Sequence, residues 1–94
     1  MFKPLDPILH SQLRLAVISL LIGVESADFV FIKEKTKATA GNLSVQLDKL
    51  EKAGYISIKK SFKGKRPLTT CSITQKGVGA FEDYVKHLKT YIDK

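Results

Sequence analysis

The sequence of 94 residues predicts a mostly helical α+β fold with four helices and one two-stranded hairpin. Three observations predict it: apolar residues recur at helical spacing, two short segments alternate, and capping residues precede the helices. With 44% hydrophobic residues, the chain can bury one modest core. We therefore expect a single domain over residues 1–94, with little room for a deep substrate cleft.

The first helix is predicted over residues 6–22. Asp6 suits the N-cap, Pro7 suits the first helical position, and Gly23 suits the C-terminal stop. The apolar positions of this helix form more than one stripe, so more than one side must be buried. Because so small a core covers only one side, we expect a second chain to cover the other.

A helix-turn-helix is predicted over residues 28–53. Its first helix is capped by Ser26 or Asp28, a tight turn follows, and Thr39 caps the next helix, which ends near Ala53. Apolar residues at i, i+4 and i+7 indicate the buried side of that helix: Leu43, Leu47 and Leu50.

A hairpin of two strands, 55–62 and 68–74, is predicted over residues 55–74, because apolar and polar residues alternate in both segments. The basic tip between them, 63–67, is interpreted as too long for a two-residue turn. Thr74 then caps a long helix over 75–92. Its apolar residues alternate in spacing by three and four, which is typical of a coiled-coil seam: Val78, Phe81, Val85, Leu88 and Ile92.

Positive charge is concentrated in the middle of the chain. Sixteen Lys+Arg against nine Asp+Glu give a net charge of +7, and ten of those basic residues fall between Lys33 and Arg66 with three acids. That segment alone accounts for the whole net charge. An acidic partner is therefore expected, nucleic acid first and an anionic membrane surface second. A solvated lysine-rich face is the plainer interpretation.

Neither a membrane span nor export is expected. The longest apolar run, Leu15–Val24, is far shorter than the roughly 20 residues that cross a bilayer. It has the length of a signal-peptide core, but Asp6 lies ahead of it and cleavage would remove the predicted first helix. The single cysteine excludes an internal disulfide and suits a reducing cytosol, so a cytoplasmic protein is predicted.

The order of these elements is that of a helix-turn-helix followed by a wing. Residues 39–56 resemble the recognition helix and first wing strand of MarR/ArsR-type winged-helix transcriptional regulators, and residues 60–70 resemble the wing of their small stand-alone members. Ile73-Thr74 with Gly77 resembles the start of their C-terminal helix. The resemblance implies a homodimer that binds double-stranded DNA. It leaves the effector ligand unknown, since the cysteine clusters of metal-sensing ArsR relatives are absent from this sequence.

The third helix would present its side opposite the leucines to the major groove. Asn42 suits a base edge, adenine best, or else local capping near Thr39. Val45 suits a thymine methyl group, or is simply an exposed valine. Asp48 is expected either to pair with Lys52 or to discourage non-specific binding. The predicted DNA contacts of this helix are Thr39, Gly41, Asn42, Ser44, Val45, Gln46, Lys49 and Lys52.

The hairpin would reach the minor groove or the adjacent backbone, for which Arg is suited. Its predicted DNA contacts are Lys59, Lys60, Lys63, Lys65 and Arg66, with Lys33, Lys35 and Lys37 as a phosphate-facing rim. The alternative is a charged tip that keeps a sheet edge from aggregating. The first and last helices would form the dimer through Leu9, Leu13, Val17, Phe81, Tyr84, Val85, Leu88, Tyr91 and Ile92.

No catalytic or cofactor site is expected. The histidines are isolated, and Asp83 with His87 could hold a metal only together with a dimer mate. Gly77 and Gly79 are interpreted as sites of close helix packing, and Cys71 as a buried, inert thiol. The sequence thus predicts a homodimeric, sequence-specific regulator that is not an enzyme. The alternatives are an RNA-binding or ribosome-associated winged-helix module, and an adaptor for an acidic protein.

Overall fold

The computed structural model describes residues 1–93. Its elements are α1 (Gln12–Leu21), β1 (Ala27–Asp28), α2 (Phe29–Thr36), α3 (Ala40–Lys52), β2 (Ile56–Lys63), β3 (Arg66–Ile73) and α4 (Gln75–Ile92). The strands form one antiparallel sheet in the order β1-β3-β2. The predicted α+β winged helix-turn-helix is confirmed.

Three helices begin at the capping residues that the sequence indicates. The side chains of Asp28, Thr39 and Thr74 each accept the backbone N–H of the residue three positions further on. Asp28, rather than Ser26, is therefore the cap of α2. These caps are local in sequence, which is why they could be identified from the residues alone.

The first helix is shorter than predicted. It was expected from Asp6, but α1 follows Ser11, whose φ of −151° is extended. A continuous helix would need the carbonyls of Pro7 and Ile8 for its own hydrogen bonds. Instead the guanidinium of Arg14 donates to both, at 3.4 Å and 2.6 Å. The N-terminal residues therefore form a separate turn.

The hairpin turn is tighter than predicted. Lys63 pairs with Arg66, so only Gly64 and Lys65 lie between the strands. Gly64 has a φ of +65°, whereas Lys65 is not in the positive-φ region. Glycine at the first central position with positive φ is the pattern of a type II′ turn, which matches the twist of the two strands. The expectation of a longer loop over 63–67 was wrong.

Strand β1 was not predicted. Ala27 and Asp28 pair with Cys71 and Thr70, so β1 is an edge strand of the sheet, beside the central strand β3. Two residues are too few to show alternation, so the sequence pattern carries no signal for this strand.

One core joins the helix-turn-helix to the sheet, and α4 extends from it. The fully buried large side chains are Leu9, Val17, Ile18, Leu21, Ile32, Leu43, Leu50 and Cys71. On α4 only Gly77 and Tyr84 are buried. The 18 residues of α4 span about 27 Å at 1.5 Å per residue, and the molecule measures 54 × 25 × 21 Å. Much of α4 therefore packs only lightly against the rest of the chain.

Candidate nucleic-acid interface

The exposed side of α3 is the one predicted to face the major groove. Leu43, Leu47 and Leu50 are buried, so the opposite side of the helix faces solvent. Val45 lies on that side with 51% of its surface exposed. The other exposed members of the predicted set are Thr39, Gly41, Asn42, Ser44, Lys49 and Lys52.

Two of the predicted contacts belong to a hydrogen-bond chain that runs into the body of the protein. The guanidinium of Arg14 donates to the side-chain oxygen of Gln46, and the Gln46 amide donates to the side-chain oxygen of Asn42 over 3.0 Å. Gln46 is half-buried, unlike the rest of the set. Arg14 thus positions the first turns of α3. Its role could not be predicted from the sequence, because a contact across 32 positions has no local signature.

The capping role expected as an alternative for the Asn42 side chain belongs to Thr39. The Asn42 N–H donates to the Thr39 hydroxyl over 3.2 Å, so Thr39 is the cap. The side-chain nitrogen of Asn42 remains available to a ligand in the groove.

The lysines near the end of α3 differ in their surroundings. Lys52 forms an ion pair with Asp48 at 2.8 Å, which confirms the expected i, i+4 pair. The hydrogen bond and the negative charge of Asp48 raise the pKa of Lys52. Both side chains are largely exposed, so the pair contributes little to stability. Lys49 is also exposed.

The wing carries its basic side chains on both faces. Side chains alternate along β2, so Lys60 shares a face with Ile58, and Lys59 and Lys63 lie on the other. Lys65 lies within the turn. All ten basic residues from Lys33 to Arg66 are exposed. Recognition helix, wing and rim therefore all carry exposed positive charge.

A cleft of about 660 Å³ separates α3 from the wing. Ser44 and Asp48 line it from α3, and Ile58, Lys60 and Thr69 line it from the sheet. Its charged side chains are one cation, Lys60, and two carboxylates, Asp48 and Glu51, and its hydroxyls belong to Ser44 and Thr69.

Three residues of the predicted dimer surface are part of the protomer's own core. Leu9 and Val17 are 0% exposed and Tyr84 is 6% exposed. The expectation that they contact a second chain was wrong, because Leu9 and α1 are covered by the fold itself. Leu13, Phe81 and Leu88 are half-buried, and Val85, Tyr91 and Ile92 are exposed.

The N-terminal segment lies along α4. The Tyr91 hydroxyl donates to the Lys3 carbonyl over 2.7 Å, and the rings of Phe2 and Tyr91 stack at 4.9 Å. His87 donates to the Pro4 carbonyl over 3.1 Å. Among residues 1–93 no group of three His, Cys, Asp or Glu side chains could hold a metal ion.

Cys71 is fully buried, as its place on the apolar side of the strand predicted. Burial is the main cause that raises the pKa of its thiol to about 11. A thiol of that kind is poorly ionised at neutral pH, so it is a poor nucleophile.

The fold and the exposed basic surface define a class of protein: a winged helix-turn-helix with its recognition helix and wing open to solvent. Comparison with known proteins agrees. Residues 13–92 match the family described as winged helix DNA-binding domain, and the chain belongs to that family. The family and the fold are those of DNA-binding regulators and not of enzymes.

Individual relatives cover most of the chain. An uncharacterised protein of Methanocaldococcus jannaschii is 41% identical over 78 residues, which are 83% of this chain and 85% of the relative. The structure of a transcriptional regulator homologue from Pyrococcus horikoshii matches with a TM-score of 0.84 and 30% identity, covering 92% of this chain and 85% of that one.

The MarR resemblance extends to the fold. A MarR-family transcriptional regulator from Silicibacter pomeroyi matches with a TM-score of 0.69 and 15% identity, covering 92% of this chain and 57% of that one. The predicted membership of the small winged-helix regulators is thereby confirmed. In the part of the chain that the structure describes, none of the helices is long and apolar enough to cross a membrane.

Proposed function

We propose that this chain is a sequence-specific, double-stranded DNA-binding transcriptional regulator that acts as a homodimer in the cytoplasm. The observation that carries the proposal is the exposed charge of residues 33–66, which run from α2 through α3 into the wing: this segment holds the net charge of +7, and its ten basic side chains all reach solvent. A polyanion with grooves is the partner that this surface fits.

In this arrangement α3 enters the major groove with its N-terminal half. Asn42 and Val45 face base edges, and Ser44 faces a phosphate or a base. The Arg14–Gln46–Asn42 chain holds the Asn42 amide in place. The wing meets the adjacent minor groove or the phosphate backbone.

The wing is expected to contribute to affinity through charge. Replacing Lys65 and Arg66 together with Ala should weaken binding for every duplex by roughly tenfold or more at moderate salt, because two cations no longer release counterions. The slope of log K against log salt should flatten by about one to two. Fluorescence anisotropy over a salt series measures both quantities. An unchanged slope would remove the wing from the interface.

The dimer is expected to form through the exposed apolar residues of α4. Val85 is 37% exposed and Ile92 is 69% exposed, so the chain's own core leaves part of Val85 and most of Ile92 uncovered. Val85→Glu and Ile92→Glu should each give monomers in sedimentation velocity, because a carboxylate cannot be buried in a seam without a partner. Lys86→Glu, at an exposed position next to Val85, is the control that should remain dimeric. A dimeric Val85→Glu variant would show that this seam is not the interface.

Sequence specificity is tested by selecting duplexes from a random library. A dimer should yield a pseudo-palindrome, and inserting about five base pairs between the half-sites should abolish binding because it turns them to opposite sides of the helix. Selection without any preferred sequence would contradict the specificity. Preference for structured RNA in competition would instead favour the RNA-binding alternative.

A further inference from the structure

Phe62 is an apolar side chain with no cover. It lies on β2, next to the tip of the wing, and 73% of its surface is exposed. Among the large hydrophobic residues of the described chain, only Met1 is more exposed. A single exposed apolar residue needs no explanation by itself. The position of Phe62 and the charge around it nevertheless suggest a function for its exposure.

The backbone holds Phe62 in a defined orientation. Its cross-strand partner is Pro67, and the strands stay in register up to Lys63 and Arg66. Cross-strand partners point to the same face of a ribbon, so the aromatic ring and the pyrrolidine ring form one apolar patch. Alternation places that patch on the face of Lys60, which lines the cleft shared with α3.

The charge along the hairpin itself has a single sign, although Asp28 of β1 lines a pocket that Pro67 also lines. Five basic residues lie between Lys59 and Arg66, and residues 52–81 contain no Asp or Glu. A second copy of this wing would be repelled, and an ordinary neutral protein surface would leave the cations unpaired. The partner must carry negative charge at the edges and offer an apolar surface between. The minor groove of DNA has both, as phosphates flank its sugar-lined walls.

The geometry points to Phe62, with Pro67, as an apolar DNA-contact site that packs against the deoxyribose wall of the minor groove while the neighbouring cations hold the phosphates. This inference rests on the proposed function. It adds to the wing a contact that contributes affinity without charge, and therefore without salt dependence.

The test compares the wild type, Phe62→Ala, Phe62→Leu and the Lys65→Ala, Arg66→Ala double variant on one A·T-rich duplex over a salt series. Phe62→Ala should bind about tenfold more weakly at every salt concentration, with the wild-type slope. Phe62→Leu should recover most of the loss. Thermal melting should be the same for both variants and the wild type, because the side chain is exposed. Netropsin, which fills the minor groove, should reduce the difference between the wild type and Phe62→Ala.

The outcomes separate the two proposals. If the wild type binds no duplex, the proposed function fails. If the wild type binds and Phe62→Ala binds equally well, only the inference about Phe62 fails. A flattened slope for Phe62→Ala would also overturn it, since the residue would then act by placing the cations. If Phe62→Ala lost binding to phosphatidylglycerol vesicles while its duplex binding equalled that of the wild type, the patch would be assigned to a membrane surface instead.

Discussion

Replacing Gly77 with Ala is expected to destabilise the protein by about 3 kcal/mol or more, a large part of the stability of a small domain. A Cβ atom at this position would lie 2.1 Å from the carbonyl oxygen of Tyr55 and 2.9 Å from Cγ1 of Ile73. Both distances are far inside van der Waals contact. The substitution therefore forces the start of α4 away from the sheet.

The backbone opposite Gly77 has little freedom to move. The Tyr55 carbonyl accepts the Thr74 N–H over 3.0 Å, and the Thr74 hydroxyl donates to the Gly54 carbonyl over 2.6 Å. Gly54 itself has a φ of +81°. Moving the backbone enough to relieve the clash would break these hydrogen bonds, so the structure cannot relax without a further loss of stability.

Gly79→Ala is the matched control. Nothing lies within 4 Å of a Cβ atom built at Gly79, so the expectation of close packing there was wrong. Ala should stabilise α4 at this position by about 0.5–1 kcal/mol. Thermal melting should thus show Gly77→Ala lower by more than about 12 °C and Gly79→Ala slightly higher. Equal melting temperatures for both variants would contradict the close approach of α4 to Tyr55.

Val45→Glu is expected to lower duplex affinity by at least about a hundredfold while the fold stays intact. Val45 is 51% exposed at the centre of the outward side of α3, so the substitution disturbs no core contact. In the proposed complex it replaces an apolar contact with a carboxylate near the phosphates. Like charges at an interface cost several kcal/mol.

Val24→Glu is the control for charge alone. Val24 is 45% exposed in the segment after α1, so the same change is made at a similar exposure away from α3. Its duplex affinity should stay within a few-fold of the wild type, because one distant charge is largely screened. Circular dichroism should confirm that both variants are folded. Equal binding by the two variants would refute the proposed orientation of α3.

The features that the sequence predicted correctly are those set by neighbouring residues. Thr39 and Thr74 cap helices through contacts three positions away, and the leucines of α3 follow one helical period. The exposure of Val45 follows from that period. The basic surface follows from charge confined to one segment. For these features, local geometry and tertiary structure agree.

The features that were missed depend on contacts far apart in sequence or on a single backbone conformation. The break before α1 requires Arg14 to reach back to two carbonyls, and the same side chain positions Gln46. The burial of Leu9 depends on the turn that precedes α1, and the apolar spacing of residues 6–22 indicated a continuous helix instead. The glycine in the wing tip is a usable signal for a two-residue turn, because Gly64 at positive φ lets Lys63 pair with Arg66.

Binding of duplex DNA by the surface of α3 and the wing is tested most directly by the fluorescence anisotropy of a labelled mixed-sequence duplex, titrated with the wild-type protein over a salt series. We expect binding at low salt and a steep loss as salt rises, with a slope of log K against log salt of about −0.9 for each phosphate contacted. If no duplex binds even at low salt, this surface is not a DNA-binding surface, and an acidic protein becomes the favoured partner.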